Sequence, residues 1–183
     1  MSLTHKNNNC LITSDQCVPI LDLGMHPFAD SFVSEDQLHL SEPILPLKCN
    51  LSPTSGLVQL AYLSNDWDRY NLYAYSYTSS NSEYSRSHWR QLAIDVKART
   101  QLVAGSVVEI GSNDGYLLTQ FQPDFQVCGV DASDTMCQLA QSLGVPTIHG
   151  ILGTQITNDI PRADIVLANN VLNHSNNPVD FVE

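Results

Sequence analysis

The sequence predicts an α/β chain in which a small β-rich module precedes the first half of a doubly wound parallel sheet. Three observations carry this. Residues 107 to 172 alternate short apolar runs with helix-like segments, the pattern of strands and crossover helices in a parallel sheet. The first run, Val107-Val108-Glu109-Ile110, feeds a glycine turn, Gly111-Ser112-Asn113-Asp114-Gly115. The second, Val127-Cys128-Gly129-Val130, ends on Asp131, twenty residues after Gly111.

The β-branched first run suits a strand buried on both faces. Gly111 and Gly115 permit backbone angles and close approaches that a Cβ would obstruct, so a ligand can lie against the main chain. The segment from Tyr116 to Phe121 can open a helix whose free N–H groups face that ligand. The spacing is GxxxG, unlike the GxGxxG of dinucleotide binders, and Glu109 and Asp114 would repel a pyrophosphate. A cationic or zwitterionic nucleoside fits better than NAD, and Asp131 stands where an acid accepts hydrogen bonds from ribose hydroxyls.

At 183 residues, 43% of them hydrophobic, the chain can bury a sizeable core. Eight basic against nineteen acidic residues leave a net charge of −11, which argues against nucleic acid or an anionic membrane surface as a partner. The first nine residues lack the apolar core of a secretory signal, and no run approaches the ~20 apolar residues of a membrane span. A cytoplasmic location is the expectation. Five cysteines, an odd number, argue against a disulfide framework. Cys128 and Cys137 read as small buried hydrophobes.

Three segments are expected: residues 1–63 as the β-rich module, 64–103 as a tyrosine-rich connector and helix, and 104–183 as the half-sheet. In the first, apolar bursts (18–24, 56–61) alternate with turns such as Ser52-Pro53-Thr54-Ser55. A module of that size usually needs a metal, disulfides or a partner domain. Two CxxC pairs would supply a zinc site of four cysteines, but Thr13 stands three residues after Cys10, and Ser52 and Ser55 precede Gly56. Cys10, Cys17, Cys49 and His26 match no zinc spacing.

In the connector, Tyr73, Tyr75 and Tyr77 alternate with period two, compatible with an extended segment presenting phenols on one face. A helix is expected from Glu83 to Val103, with Trp89, Leu92, Ala93, Val96 and Val103 on its packed face. Beyond it, strands are expected at 107–110, 126–130, 146–149 and 163–168, and helices near 115–121, 133–143 and 151–157. The middle helix is capped by Ser133 or Asp134, carries Met136, Leu139, Ala140 and Leu143 on one stripe, and stops at Gly144. A further helix begins near Pro178.

Several stretches together resemble the sugar C-methyltransferases that act on nucleotide-activated deoxyhexoses: EIGSNDG (109–115), LDLGMHPFADSF (21–32), GLVQL (56–60), the tyrosine-serine stretch near 75–82 and ADIVLANNVLNH (163–174). The resemblance implies a zinc-binding module, a Rossmann-like methyltransferase domain using S-adenosylmethionine, and a C-terminal domain. It implies that Glu109, Gly111, Asn113, Asp114 and Gly115 surround the methionine part of the cofactor, that Asp131 is the ribose acid, and that Asn169 and Asn170 border the sulfonium. Tyr75, Tyr77, Ser79 and Ser80 resemble the segment that holds the nucleotide-sugar, and His174 a histidine near the sugar pocket.

The departures set further expectations. The family's module carries CxxC twice, whereas only Cys10 remains here, with Thr13, Ser52 and Ser55 at the other positions; hydroxyls are poor zinc ligands beside thiolates, so no structural zinc is expected. The family's principal base sits in a histidine-containing motif beyond Glu183, so the chain reads as a truncated methyltransferase in which His174 alone could substitute. The alternatives are a non-catalytic cofactor-binding relic of the same fold and an NAD-dependent oxidoreductase. A half-sheet would leave the strand at 107–110 with an unpaired edge, so self-association or a separately encoded C-terminal half is expected.

Overall fold

The computed structural model describes residues 3–29, 31–71, 74–153 and 156–183. In chain order the strands are β1 (Thr4–Lys6), β2 (Val18–His26), β3 (Ser31–Phe32), β4 (Leu45–Leu51), β5 (Val58–Leu60), β6 (Tyr62–Ser64), β7 (Ala74–Tyr75), β8 (Gly105–Ile110), β9 (Phe125–Asp131), β10 (Thr147–His149) and β11 (Ile165–Leu167). The α-helices are α1 (Asp66–Asn71), α2 (Glu83–Thr100), α3 (Tyr116–Thr119), α4 (Asp134–Ser142) and α5 (Pro178–Val182). They fall into two compact units, Met1–Ala74 with Asn173–Glu183, and Tyr75–Leu172. Among the described residues no helix is long and apolar enough to cross a membrane.

The first unit is antiparallel. β4 lies between β2 and β5, and β1 pairs with β6. Its interior is unusually polar: Asn50, Ser52 and Gln59 are buried with Cys10, Cys17, Ala61 and Leu63. Buried amides are tolerable only when paired. Gln59 accepts from the Leu11 N–H (2.9 Å) and donates to the Asn9 carbonyl (2.8 Å), while Asn50 donates to the Asn7 carbonyl (3.2 Å). These side chains tie the N-terminal segment to the sheet where apolar burial is scarce. By contrast Ile20, Leu21, Leu23 and Met25 of β2 are exposed.

The second unit is the predicted parallel sheet, in the order β10-β9-β8-β11. Renumbered within the sheet this is 3-2-1-4, the start of a doubly wound fold with its switch point between β8 and β11. The α/β class, the β-rich module and the Rossmann-like parallel sheet stand as predicted. The expected edge does not: β8 pairs with β9 on one side and β11 on the other, so the edges are β10 and β11. Strand order reverses after the third strand, and the fourth therefore covers the flank that a simple meander would leave open. The core joins Val107, Leu117, Leu118, Phe121, Phe125, Ala140, Val145 and Ile165 with Ala93 of α2.

Several boundaries shift for local reasons. α2 starts where Ser82 accepts from the Ser85 N–H (3.1 Å), an N-cap bond. It stops at Thr100, because Gln101 turns left-handed (φ 58°) as it caps the Lys97 carbonyl. Val103 is consequently outside the helix and 87% exposed, not on its packed face. In α4 the cap is Ser133, accepting from Met136, but the buried stripe is Met136, Cys137 and Ala140, and Leu139 and Leu143 are exposed. Cys137 is buried as expected, and Cys128 only half so. Of the helix expected at 151–157, residues 154 and 155 lie outside the described residues and Ile156–Asn158 form a 3-10 turn. Tyr73 also lies outside them.

Candidate functional site

The carboxyl ends of parallel strands beside a switch point form the crevice in which doubly wound sheets bind ligands. Three predicted residues meet there: Glu109 in β8, Asp131 at the end of β9, and Asn169 just after β11. The Asn169 amide donates to Glu109 Oε1 (3.2 Å). Glu109 Oε2 is buried without a partner. Burial, then the nearby charges of Asp131 and Asp114, push the Glu109 carboxyl up to about 8, partly offset by the Asn169 bond. Asp131 is held by the Asn113 N–H (2.8 Å) and the Ser133 N–H (2.9 Å). Burial nonetheless raises its pKa from the ordinary aspartate value.

The turn between β8 and α3 wraps the end of β9. Gly111 and Ser112 both donate to the Val130 carbonyl, at 2.8 and 3.0 Å. Gly111 (φ 68°) and Gly115 (φ 75°) are left-handed, as is Asn113 (φ 51°). The space the glycines leave is taken by protein: a Cβ on Gly111 would lie 2.8 Å from Val171 Cγ2, and one on Gly115 2.9 Å from Ala140 Cβ. The glycines thus serve close packing and turn geometry, so their Cβ directions do not open onto a ligand. Asn170 is left-handed as well (φ 53°), in the bend that follows Asn169.

Asp114 is saturated by hydrogen bonds. Its Oδ1 accepts from the Ser79 hydroxyl (2.6 Å) and the Tyr116 N–H (3.2 Å). Its Oδ2 accepts from the Ser80 hydroxyl (2.6 Å) and the Ser80 N–H (3.0 Å). Asn113 completes the clasp, accepting from the Ser79 N–H (2.7 Å) and donating to the Tyr77 carbonyl (3.0 Å). Helix α2 holds the same turn from its other side: Trp89 Nε1 donates to the Ser79 carbonyl (2.9 Å) and Arg86 to that of Ser80 (2.8 Å). Segment 77–80 is therefore fastened onto the glycine turn. Tyr75 lies in β7, half-buried, and Tyr77 is exposed.

Sequence reasoning passed over Ser112, although it stands inside the EIGSNDG motif. Its side chain is buried with an unpartnered hydroxyl, facing the point where a Cβ on Gly129 would lie 2.4 Å away. Nor did it single out Trp89 and Arg86 as holders of the serine turn; their spacing from the serines was the available signal. His174 belongs to the other unit, in a 3-10 turn (Leu172–His174). Local desolvation, then Arg69, lowers its pKa below the ordinary histidine value.

Of the four positions that align with the expected metal ligands, Cys10 and Ser55 meet through their side chains, Thr13 joins them through its N–H, and Ser52 bonds to Ser55 within one turn. Cys10 Sγ and Ser55 Oγ share a hydrogen bond 3.3 Å long, across 45 residues of chain. The N–H groups of Ile12 (3.4 Å) and Thr13 (3.5 Å) point at the same sulfur. The four aligned positions supply one thiol and three hydroxyls, and even with the neighbouring Cys17 thiol they are not a donor set for Zn²⁺. Among the described residues no three His, Cys, Asp or Glu side chains are grouped to hold a metal ion.

Residues 10–66 match the Methyltransf_13 family model, whose description is "Putative zinc binding domain". No curated protein matches the sequence. Solved structures similar to the chain include the YcgJ protein from Bacillus subtilis (23% identity, TM-score 0.39, covering 47% of this chain and 39% of that one). They also include the plantazolicin methyltransferase BpumL, solved with a desmethylPZN analog and SAH (16%, TM-score 0.46, 54% and 40%), and an S-adenosylmethionine-dependent methyltransferase from Clostridium acetobutylicum (16%, TM-score 0.38, 52% and 44%). The chain spans less than half the length of each of these three structures.

Proposed function

We propose that this chain carries the cofactor-binding part of an S-adenosylmethionine-dependent C-methyltransferase acting on a nucleotide-linked 4-keto-deoxysugar. The observation that supports it best is the buried, half-unpartnered Glu109 carboxylate beside Asp131 and Asn169 at the switch point. A buried carboxyl held protonated by desolvation can ionise once a donor or cation completes its free oxygen. A zwitterionic amino acid bearing an ammonium group suits that oxygen, and a pyrophosphate does not. Glu109 would take the methionine part, Asn169 and Asn170 the region of the sulfonium, and Asp131 the ribose hydroxyls, with the backbone of Gly111–Gly115 as the floor. The cofactor, when bound, supplies an electrophilic methyl group.

On the sugar side, a base must remove the proton adjacent to the 4-keto group so that the enolate carbon can attack. His174 is the residue that the sequence resemblance offers for this role. Tyr75, Tyr77, Ser79 and Ser80 would line the nucleotide-sugar. The Ser79 and Ser80 hydroxyl protons are committed to Asp114, so what these oxygens retain is acceptor capacity, which suits sugar hydroxyls. A second reading, a cofactor-binding module without turnover, is favoured by the loss of three of the four expected metal-site cysteines.

Calorimetric titration separates the readings. S-adenosylhomocysteine should bind, NAD should not, and Asp131→Ala should weaken binding by about tenfold or more. Binding of NAD, or of neither ligand, would overturn the proposal. Binding without methyl transfer to a nucleotide-linked 4-keto-sugar would favour the second reading.

A further inference from the structure

The two turns that carry the degenerate ligand positions repeat one another in detail. In the first, Cys10-Leu11-Ile12-Thr13-Ser14, the Thr13 N–H points at the Cys10 sulfur and the Ser14 N–H donates to the Cys10 carbonyl (3.0 Å). In the second, Ser52-Pro53-Thr54-Ser55-Gly56, the Ser55 N–H donates to the Ser52 hydroxyl (3.2 Å) and the Gly56 N–H to the Ser52 carbonyl (2.9 Å). The fifth residue of each is left-handed, Ser14 at φ 62° and Gly56 at φ 75°. Ser14 adopts that conformation without being glycine, which a local turn preference alone does not favour. Both first residues are buried, Cys10 at 3% and Ser52 at 0% exposure. The turns meet through the Cys10–Ser55 hydrogen bond.

This is the backbone of a paired metal knuckle, in which each turn aims main-chain N–H groups at its leading ligand, but with hydroxyls where three thiolates would be. We propose that the cluster of Cys10, Thr13, Ser52 and Ser55 is a metal-free staple that joins the two turns by hydrogen bonds in place of a tetrahedral ion, on a backbone still shaped to accept one. The module is then metal-independent, in disagreement with the zinc-binding description of the family model that matches it. Hydroxyls can substitute because both turns are internally bonded and the buried groups at the centre already have partners. The Cys10 sulfur already has the Ser55 hydroxyl and the Ile12 and Thr13 N–H groups around it, so a cation is not required beside it. The inference stands independently of the proposed methyl transfer.

Metal analysis of the purified full chain, with thermal unfolding before and after chelator, tests the first half. Substoichiometric zinc and an unchanged Tm are expected; stoichiometric zinc, or a Tm that drops on chelation, would overturn it. The second half is tested by the triple variant Thr13→Cys, Ser52→Cys, Ser55→Cys titrated with Co²⁺. One equivalent should give the visible d–d absorption of a tetrahedral thiolate site and raise the Tm. A folded triple variant without that spectrum would overturn the proposal.

Should the triple variant not fold with or without metal, the cycle of Cys10→Ala, Ser55→Ala and the double variant decides. Each single change should lower the Tm by a few degrees, about 2–6 °C, and the double variant should lose clearly less than their sum. Additive losses would sink the staple.

Discussion

Glu109 sets the most direct expectation at the level of single residues. Its folded pKa of about 8 lies above the ordinary value of 4.5, so the folded chain keeps a proton that the unfolded chain releases. The associated stability is present in full below pH 4.5 and is lost as pH rises through about 8. Glu109→Gln removes the ionisation. Between pH 5 and 8 the wild type should lose stability relative to the variant, by on the order of several kcal/mol at most, read as converging and then crossing urea midpoints. Parallel pH profiles would refute the assignment. Gly111 is the other sensitive residue. Gly111→Ala combines a left-handed φ with a 2.8 Å contact on Val171, and should cost about 1–3 kcal/mol. Val171→Ala in the Gly111→Ala background should recover part of that loss, because it relieves the contact and leaves the backbone strain.

Among the elements, the serine turn and the glycine turn behave as one body. Asp114 accepts four hydrogen bonds from Ser79, Ser80 and Tyr116. Removing an acceptor that satisfies four half-buried donors is costly, so Asp114→Ala should destabilise by about 2–4 kcal/mol and Asp114→Asn by less. Hydrogen exchange gives the sharper readout: the amides of Ser79 and Ser80 should lose protection in Asp114→Ala while those of β9 keep theirs. Equal loss in both would mean that the clasp is not a separable feature. The same clasp explains why a polar, serine-rich stretch is ordered at all. It buries little apolar surface, and its order comes from Asp114, Asn113, Trp89 and Arg86.

For the molecule as a whole, apolar surface is left uncovered in both units. Ile20, Leu21, Leu23 and Met25 are each about half exposed along β2, and Val166 on the edge strand β11 is 66% exposed. Exposed strand edges and apolar faces invite association. The isolated chain should therefore elute from size exclusion above the size of one copy or be poorly soluble, and a sharp monomer peak would count against this. Leu23→Lys with Val166→Lys should raise the soluble fraction if these surfaces are responsible.

Much of the parallel sheet was readable in advance, because its signals are local. Val107, Val108 and Ile110 form the strand their β-branched run implies, Ser133 caps the helix before Met136, and Asp131 closes the strand it terminates. Those features depend on neighbours a few residues away. Other outcomes hang on contacts between distant residues, which periodicity does not encode. Leu139 and Leu143 fit the apolar stripe but face solvent, because packing buries Cys137 instead. Gly111 reads as room for a ligand until Val171, sixty residues on, occupies the space. Asp114 reads as a ligand contact until two serines from before the sheet claim both its oxygens. Composition and local pattern were enough for the class of fold and the place of its crevice. Which carboxylate there remains unsatisfied, Glu109, was decided only by tertiary structure, since an orphaned oxygen is defined by every group that could have reached it.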